Sequence, residues 1–249
     1  MTIARFIDAV STGGKTLTVY NEDEPAPLVR MLRRMVDTPT VDVREGSSDD
    51  GAVTDAVTLE DENGAELGMS SLEDIARSVL MVNSDLYTTG TRPVDEVQTP
   101  EVLANLEETT FSVSGKQKML LIQMSRHIES LALQHGDGTL HAGFQYLSRI
   151  DDERGTRRVY ERLVERDVDV HLYGVPDSEL SVSEDVAVYT SPTEELRRSW
   201  FVVHTGCPDP AKAALVAEET GDNEWRGCWT FDGEVTDAVT EYVENTYRS

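Results

Sequence analysis

Between Ser114 and Gln145 an apolar stripe of helical period runs directly into a stretch of strand character, and any fold for this chain has to accommodate that junction. Leu121, Met124, Ile128, Leu131 and Ala132 fall on one helical face. Ser114 stands where an N-cap belongs, and Gly136 with Gly138 can close the helix through a left-handed turn. A long helix delivered by a tight turn into the strand 139–145 is the unit of a layered α/β fold, on which the C-terminal elements are expected to pack.

The flanking sequence supplies those elements. A short helix over 2–11, with Thr2 as N-cap, stops at Gly13-Gly14 and is followed by a strand at 15–20, a helix at 26–36 and a strand at 40–44. Val53 to Asp61 and Ala65 to Met69 flank Asn63-Gly64, a dipeptide that tolerates the positive φ of a hairpin turn. Ser71-Leu-Glu-Asp74 reads as a capping box that opens a helix to about residue 82. Apolar anchors then thin out over 83–100, and Pro100 begins a helix over 100–108. Beyond the central unit come a helix at 153–166, strands at 168–174 and 186–190, a helical turn at 192–198, and a continuously apolar strand at 200–205. Strands at 212–218 and 225–231 and a closing helix from Asp232 to Tyr247 complete the chain.

The fold class is therefore α/β, as two units with mixed sheets: residues 1–90, and residues 100–249 with parallel strands followed by an antiparallel meander. The two units share an order of elements. Thr16-Leu17 matches Thr139-Leu140, Val41-Asp42-Val43 matches Val168-Asp169-Val170, and Ala65 to Met69 matches Ala214 to Ala217. A degenerate duplication predicts the same strand order in both sheets, whereas generic α/β connectivity does not require it.

Charge narrows the functional classes. The chain has 47 acidic and 22 basic residues, a net charge of -25, and its lysines are confined to positions 15, 116, 118 and 212. Such a surface repels polyphosphate, so nucleic acid is not expected as a direct partner, and Arg30, Arg33 and Arg34 read as the solvated face of one helix. Acid spread along the whole length with little lysine suits a protein working in molar salt, where the Debye length is about 3 Å and self-repulsion is screened. An acidic mesophilic protein is the alternative. No window is long and apolar enough to span a membrane, and the N-terminus lacks the features of a signal peptide, so a cytoplasmic protein is expected. Cys207 and Cys228 are then expected to be thiols.

An ordered set of motifs narrows the reading further. Met124-Ser-Arg-His-Ile-Glu-Ser-Leu-Ala132, Gly138-Thr-Leu-His-Ala-Gly-Phe-Gln145, Tyr160-Glu-Arg-Leu163, Val168-Asp-Val-His-Leu-Tyr-Gly174, Ser199-Trp-Phe-Val-Val203 and Ala213-Ala-Leu-Val-Ala-Glu-Glu219 succeed one another. Together they resemble the DICT sensory domain, over residues 100–249. That family is named for diguanylate cyclases and two-component systems and has stand-alone acidic versions in salt-loving archaea. The resemblance implies signal input without catalysis. No cofactor is expected.

The side chains give candidate ligand contacts. Phe144, Gln145, Tyr173 and Trp200 lie near strand ends, where open α/β sheets commonly bind small molecules, and His141 and His171 share those strands. His141, His171 and His204 show no short ligand spacing such as H-x-H, so no metal is expected. Gly13-Gly-Lys-Thr16 leaves a helix and enters a strand, the reverse of a phosphate-binding loop. The expected role is a non-enzymatic sensory or regulatory protein that binds a small molecule or relays a signal to a kinase, a transcription factor or a second copy. For that relay the long helix at 115–135 is the candidate docking face. An enzyme or nucleotide-binding protein with an unrecognised site, and a scaffold for cell organisation, are the competing readings.

Overall fold

The computed structural model describes residues 2–10, 14–20, 30, 32, 41–46, 54–75, 99–106, 109–151, 154–178, 182–206, 208 and 211–248. Within them a four-stranded sheet is built from β1 (Lys15–Tyr20), β2 (Val41–Gly46), β3 (Ala56–Glu60) and β4 (Glu66–Ser71), in the order β2-β1-β3-β4. A seven-stranded sheet follows, with β5 (Thr109–Ser114), β6 (Thr139–Tyr146), β7 (Asp169–Val175), β8 (Val186–Thr190), β9 (Ser199–Thr205), β10 (Ala213–Gly221) and β11 (Glu224–Thr230). Its order is β5-β11-β10-β9-β6-β7-β8. The β6, β7 and β8 strands are parallel, and β9, β10 and β11 form the expected antiparallel meander.

The described helices are α1 (Arg5–Ala9), α2 (Glu101–Ala104), α3 (Met119–His135), α4 (Ser148–Asp151), α5 (Arg154–Val164), α6 (Glu194–Arg197) and α7 (Gly233–Tyr247). Their ends follow local chemistry. Gly136 closes α3 at φ 69°, a conformation that costs glycine least, and Asp232 accepts the Glu234 and Val235 N–H groups at the start of α7. Ser71 accepts the Asp74 N–H at 3.0 Å, as an N-cap does, and its hydroxyl donates to the Asp74 carboxylate at 2.7 Å. At the hairpin, Gly64 has φ 80° and the Asp61 carboxylate accepts the Asn63 and Ala65 N–H groups.

Three local expectations change. Thr2 is not the cap of α1, which starts at Arg5 after Ala4. Ser114 does not cap α3, because it ends β5, and a 3₁₀ turn, Gly115–Lys118, intervenes. β5 itself occupies residues for which the sequence pattern gives no strand, its Thr109, Phe111 and Val113 facing inward. Cys207, the helix at 26–36 apart from Arg30 and Leu32, and most of 83–100 lie outside the described residues. Cys228 is buried, with its thiol against the Phe6 carbonyl.

The two sheets share a four-strand order. Around β1 the neighbours run β2-β1-β3-β4, and around β6 they run β7-β6-β9-β10, each with one parallel pair followed by two antiparallel pairs. Register agrees as well. Thr16 lies opposite Asp42 and Leu17 opposite Val43, just as Thr139 lies opposite Asp169 and Leu140 opposite Val170. The seven-stranded sheet adds β5, β8 and β11, so the two sheets have this four-strand segment in common and differ beyond it. In the fourth strand the correspondence is shifted, since Gly68 pairs with Leu59 as Ala213 pairs with His204, which aligns Met69 with Ala214.

Two apolar layers cover the large sheet. On one face Leu140, Ala142, Val170, Leu172 and Val202 pack under α3 and α5, in a core continuous with Leu17, Val43 and Leu59 of the small sheet. On the other face Tyr173, Phe201, Val203 and Val216 pack under Val239, Val243 and Tyr247 of α7, together with Phe6 and Ile7 of α1. The chain is laced across its two sheets: α1 covers the large sheet, while α2 docks on the small one through Val102 N–H to Ser70 Oγ at 3.1 Å and Asn105 Nδ2 to the Leu67 carbonyl at 2.6 Å. Burial also corrects the docking role expected of α3. Leu120, Leu121, Met124, Ser125, Arg126, Ile128, Glu129, Ser130, Ala132 and Leu133 are all buried, so α3 is a core helix whose apolar surface is already spent inside the fold. Among the described residues no helix is long and apolar enough to cross a membrane.

Candidate functional site

Along a strand successive side chains alternate faces, and this divides the candidate residues. Phe144 and Trp200 pack toward α3, whereas His141, His171 and Tyr173 point to the α7 side. Gln145 follows a register shift after Gly143 and joins Phe144 at the mouth of a cleft. Phe144, Gln145 and Trp200 are therefore brought together, and His141, His171 and Tyr173 form a separate cluster behind the sheet.

The cleft lies between α3, α4, α5 and the ends of β6 and β9, and holds about 540 Å³ of space, counting the part open to solvent. Its walls add Lys118, Ile122, Ser125, Arg126, Glu129, Arg149 and Thr156 to the three expected residues. Trp200 is fixed by its Nε1–H, which donates to Ser125 Oγ at 3.1 Å. Gln145 donates to the Arg197 carbonyl at 2.8 Å and to Glu219 Oε2 at 2.6 Å, which anchors the rim.

Beneath this mouth lies a buried polar network. Arg126 is ion-paired with Glu129 and donates to Thr156 Oγ1 at 2.8 Å, while the Tyr160 hydroxyl donates to Glu129 at 3.0 Å. Burial and the Glu129 charge push the Tyr160 hydroxyl well above the usual phenol range, so it remains a donor. Arg126 thus offers a guanidinium in fixed orientation whose charge is balanced by Glu129.

Lys118 and Arg149 are different. Neither forms an ion pair with a described residue, although the chain carries more than two carboxylates per base. The Lys118 ammonium lies 5.4 Å from the Trp200 ring and 4.9 Å from the Trp225 ring, a cation–π seat in place of a carboxylate. Burial and then the Arg149 charge lower its affinity for a proton, partly offset by Glu219. Two cations that repel each other across a cleft with an indole wall are relieved when an anion enters.

Sequence reading missed the polar wall. Its one signal was Arg126 and Glu129 set i,i+3 among apolar residues of a buried helix, a second inward row beside the Leu121-Met124-Ile128 stripe.

Behind the sheet, His141 and His171 are register partners on adjacent parallel strands, their rings 5.0 Å apart. His141 Nδ1 is hydrogen-bonded to the Tyr173 hydroxyl at 3.0 Å, and its fully buried Nε2 has no hydrogen-bond partner among the described residues. Glu244 of α7 approaches that nitrogen to 3.8 Å. Arg248, which follows α7, contacts His171 Nδ1, pairs with Glu244 at 2.9 Å and donates to Tyr173 at 3.4 Å. Burial, helped by the charges of His171 and Arg248, pushes His141 down to about 3, and burial likewise lowers His171. Both rings are therefore neutral near pH 7.

Known proteins supply one clear relationship. Residues 101–220, which include every residue of the cleft wall, match the DICT family, described as a sensory domain in diguanylate cyclases and two-component systems. No curated protein matches the chain. Among solved structures, polyphosphate kinase from Porphyromonas gingivalis is similar at 11% identity and a TM-score of 0.38, over 97% of this chain and 47% of that one. The chain thus spans about half the length of that protein, and so low a score carries no argument. Residues 101–220, just under half of the chain, are thus similar to the DICT family of sensory domains.

Proposed function

We propose that this is a non-enzymatic cytoplasmic sensory protein whose DICT domain receives a small organic anion in the cleft between α3 and the β6 and β9 strand ends. The observation that carries this reading is the pair of cations, Lys118 and Arg149, that face the cleft beside Trp200 with Glu219 and Asp177 near enough to act on them only at a distance, and with no carboxylate among the described residues in ion-pair contact. Arg126, Ser125, Gln145 and Thr156 supply directional hydrogen-bonding groups, and Phe144 and Trp200 supply planar apolar surface, the mixture that fixes a metabolite-sized ligand. The state of the cleft passes to a regulatory protein, a kinase or transcription factor, or to a second copy of the chain.

A thermal-shift screen in molar KCl tests it. Carboxylate- and phosphate-bearing metabolites should raise the unfolding midpoint, while neutral analogues of the same size leave it unchanged, and the bound compound should be recovered chemically intact. Turnover of the bound compound would replace this reading with an enzyme. Stabilisation by neutral compounds alone would remove the role given to Lys118 and Arg149.

A further inference from the structure

The cluster behind the large sheet is independent of the cleft. His141 is wholly shut from water, yet its Nε2 has no hydrogen-bond partner among the described residues, a state that costs free energy unless something absent from the protein itself completes it. That nitrogen is aimed at Glu244, and ligand atoms of His141, His171 and Glu244 all lie within 4.8 Å of one another. Two imidazoles and a carboxylate are a donor set that zinc and similar divalent cations accept, at metal–ligand distances of about 2.0–2.2 Å. Ligands bound to one such ion lie about 3.3–3.6 Å apart, so His141 Nε2 and Glu244 at 3.8 Å are already near that spacing and no pair has to close by more than about 1.5 Å.

Arg248 explains how the cluster stands without a metal. Its guanidinium bonds Glu244 and His171 together, so a positive charge already occupies part of the space between them. Lying just past the end of α7, it can swing away without disturbing the helix. His141 Nδ1 is held by Tyr173, the outer-shell contact that orients a ligating imidazole.

We propose that His141, His171 and Glu244 form a divalent-cation site of the zinc type, with Arg248 as an internal cation that the metal displaces. Occupancy would clamp α7 to β6 and β7, coupling the C-terminal helix, which lies outside residues 101–220, to the sensory domain.

Chelator-treated protein in molar KCl, which suppresses loose binding to surface carboxylates, is titrated with Zn²⁺ by calorimetry and with Co²⁺ by visible absorption. Wild type should bind one Zn²⁺ and give the absorption of a low-coordinate Co²⁺ site. Affinity should fall at least about tenfold in His171→Ala and in Glu244→Gln, and the Co²⁺ signal should vanish in His171→Ala. Arg248→Ala should bind more tightly than wild type. Circular dichroism checks that each variant is folded. Zinc that binds both ligand variants as well as wild type, or that fails to bind wild type, overturns the site. Equal affinity in Arg248→Ala and wild type overturns the displacement.

Discussion

Replacing Glu129 by glutamine tests the buried network under the cleft and separates stability from binding. The side chains of Arg126 and Glu129 are 6% and 1% exposed, so solvent cannot compensate a guanidinium whose partner is removed. The substituted amide has one acceptor oxygen, so if that oxygen stays on the Tyr160 hydroxyl its NH2 faces the Arg126 guanidinium, and the variant loses both the charge and the hydrogen bond that Arg126 donates. Breaking a buried ion pair on one side costs about 3–5 kcal/mol. For a chain of this length about 1 kcal/mol moves the midpoint by about 2–4 °C, so the expected drop is about 6–20 °C. Urea unfolding in molar KCl, followed by circular dichroism, gives the free energy directly. The double variant Arg126→Met/Glu129→Leu should be no worse than Glu129→Gln, because it removes both charges and leaves only the Tyr160 and Thr156 hydroxyls to find new partners. Anion binding should move the other way in Glu129→Gln, since Arg126 faces the cleft and its charge is no longer balanced. A Glu129→Gln protein within about 1 kcal/mol of wild type would refute the reasoning that Arg126 depends on that carboxylate.

Other outcomes follow from packing and charge. Gly143→Ala should cost about 1–3 kcal/mol, because a Cβ there would run into the ring of the fully buried Phe201, whereas Gly14→Ala, with nothing within 4 Å, should leave the urea midpoint almost unchanged. Burial lowers the proton affinity of His127 and His204. The unfolded chain therefore takes up protons as pH falls through about 6.5 while the folded chain does not. Stability should hold above that pH and decline below it, and Gln at both positions should make that decline shallower, the remainder coming from His141 and His171. Screening by molar KCl should raise the thermal midpoint well above its value in dilute buffer, given the net charge of -25, and equal midpoints would remove the brine-adapted reading.

Much of the architecture was legible because burial imposes periodicity. The stripe through Leu121, Met124 and Ile128 located α3, the apolar run at 200–205 located β9, and Thr-Leu with Val-Asp-Val anticipated a shared strand order and register. β5 was missed although Phe111 and Val113 alternate with polar residues, because six residues beside a long helix carry a weak signal. The site was legible in part. Phe144 and Trp200 meet in one cleft, but His141, three residues before Phe144, belongs to the opposite face, and alternation along β6 is what separates them. Spacing along the chain likewise conceals that His141 and His171 touch, since parallel strands set residues thirty apart side by side. No periodicity or motif marks Lys118 and Arg149, and only the fold brings both to one cleft with no carboxylate in ion-pair contact among the described residues.

The account stands or falls on whether the paired cations receive the signal. Calorimetric titration of a stabilising metabolite anion into wild type and into Arg149→Gln, both in molar KCl, asks this directly. A loss of affinity of about tenfold or more in the exposed Arg149→Gln variant, with its unfolding midpoint unchanged, is the predicted result. Equal affinity in the two proteins would contradict it and place the ligand elsewhere.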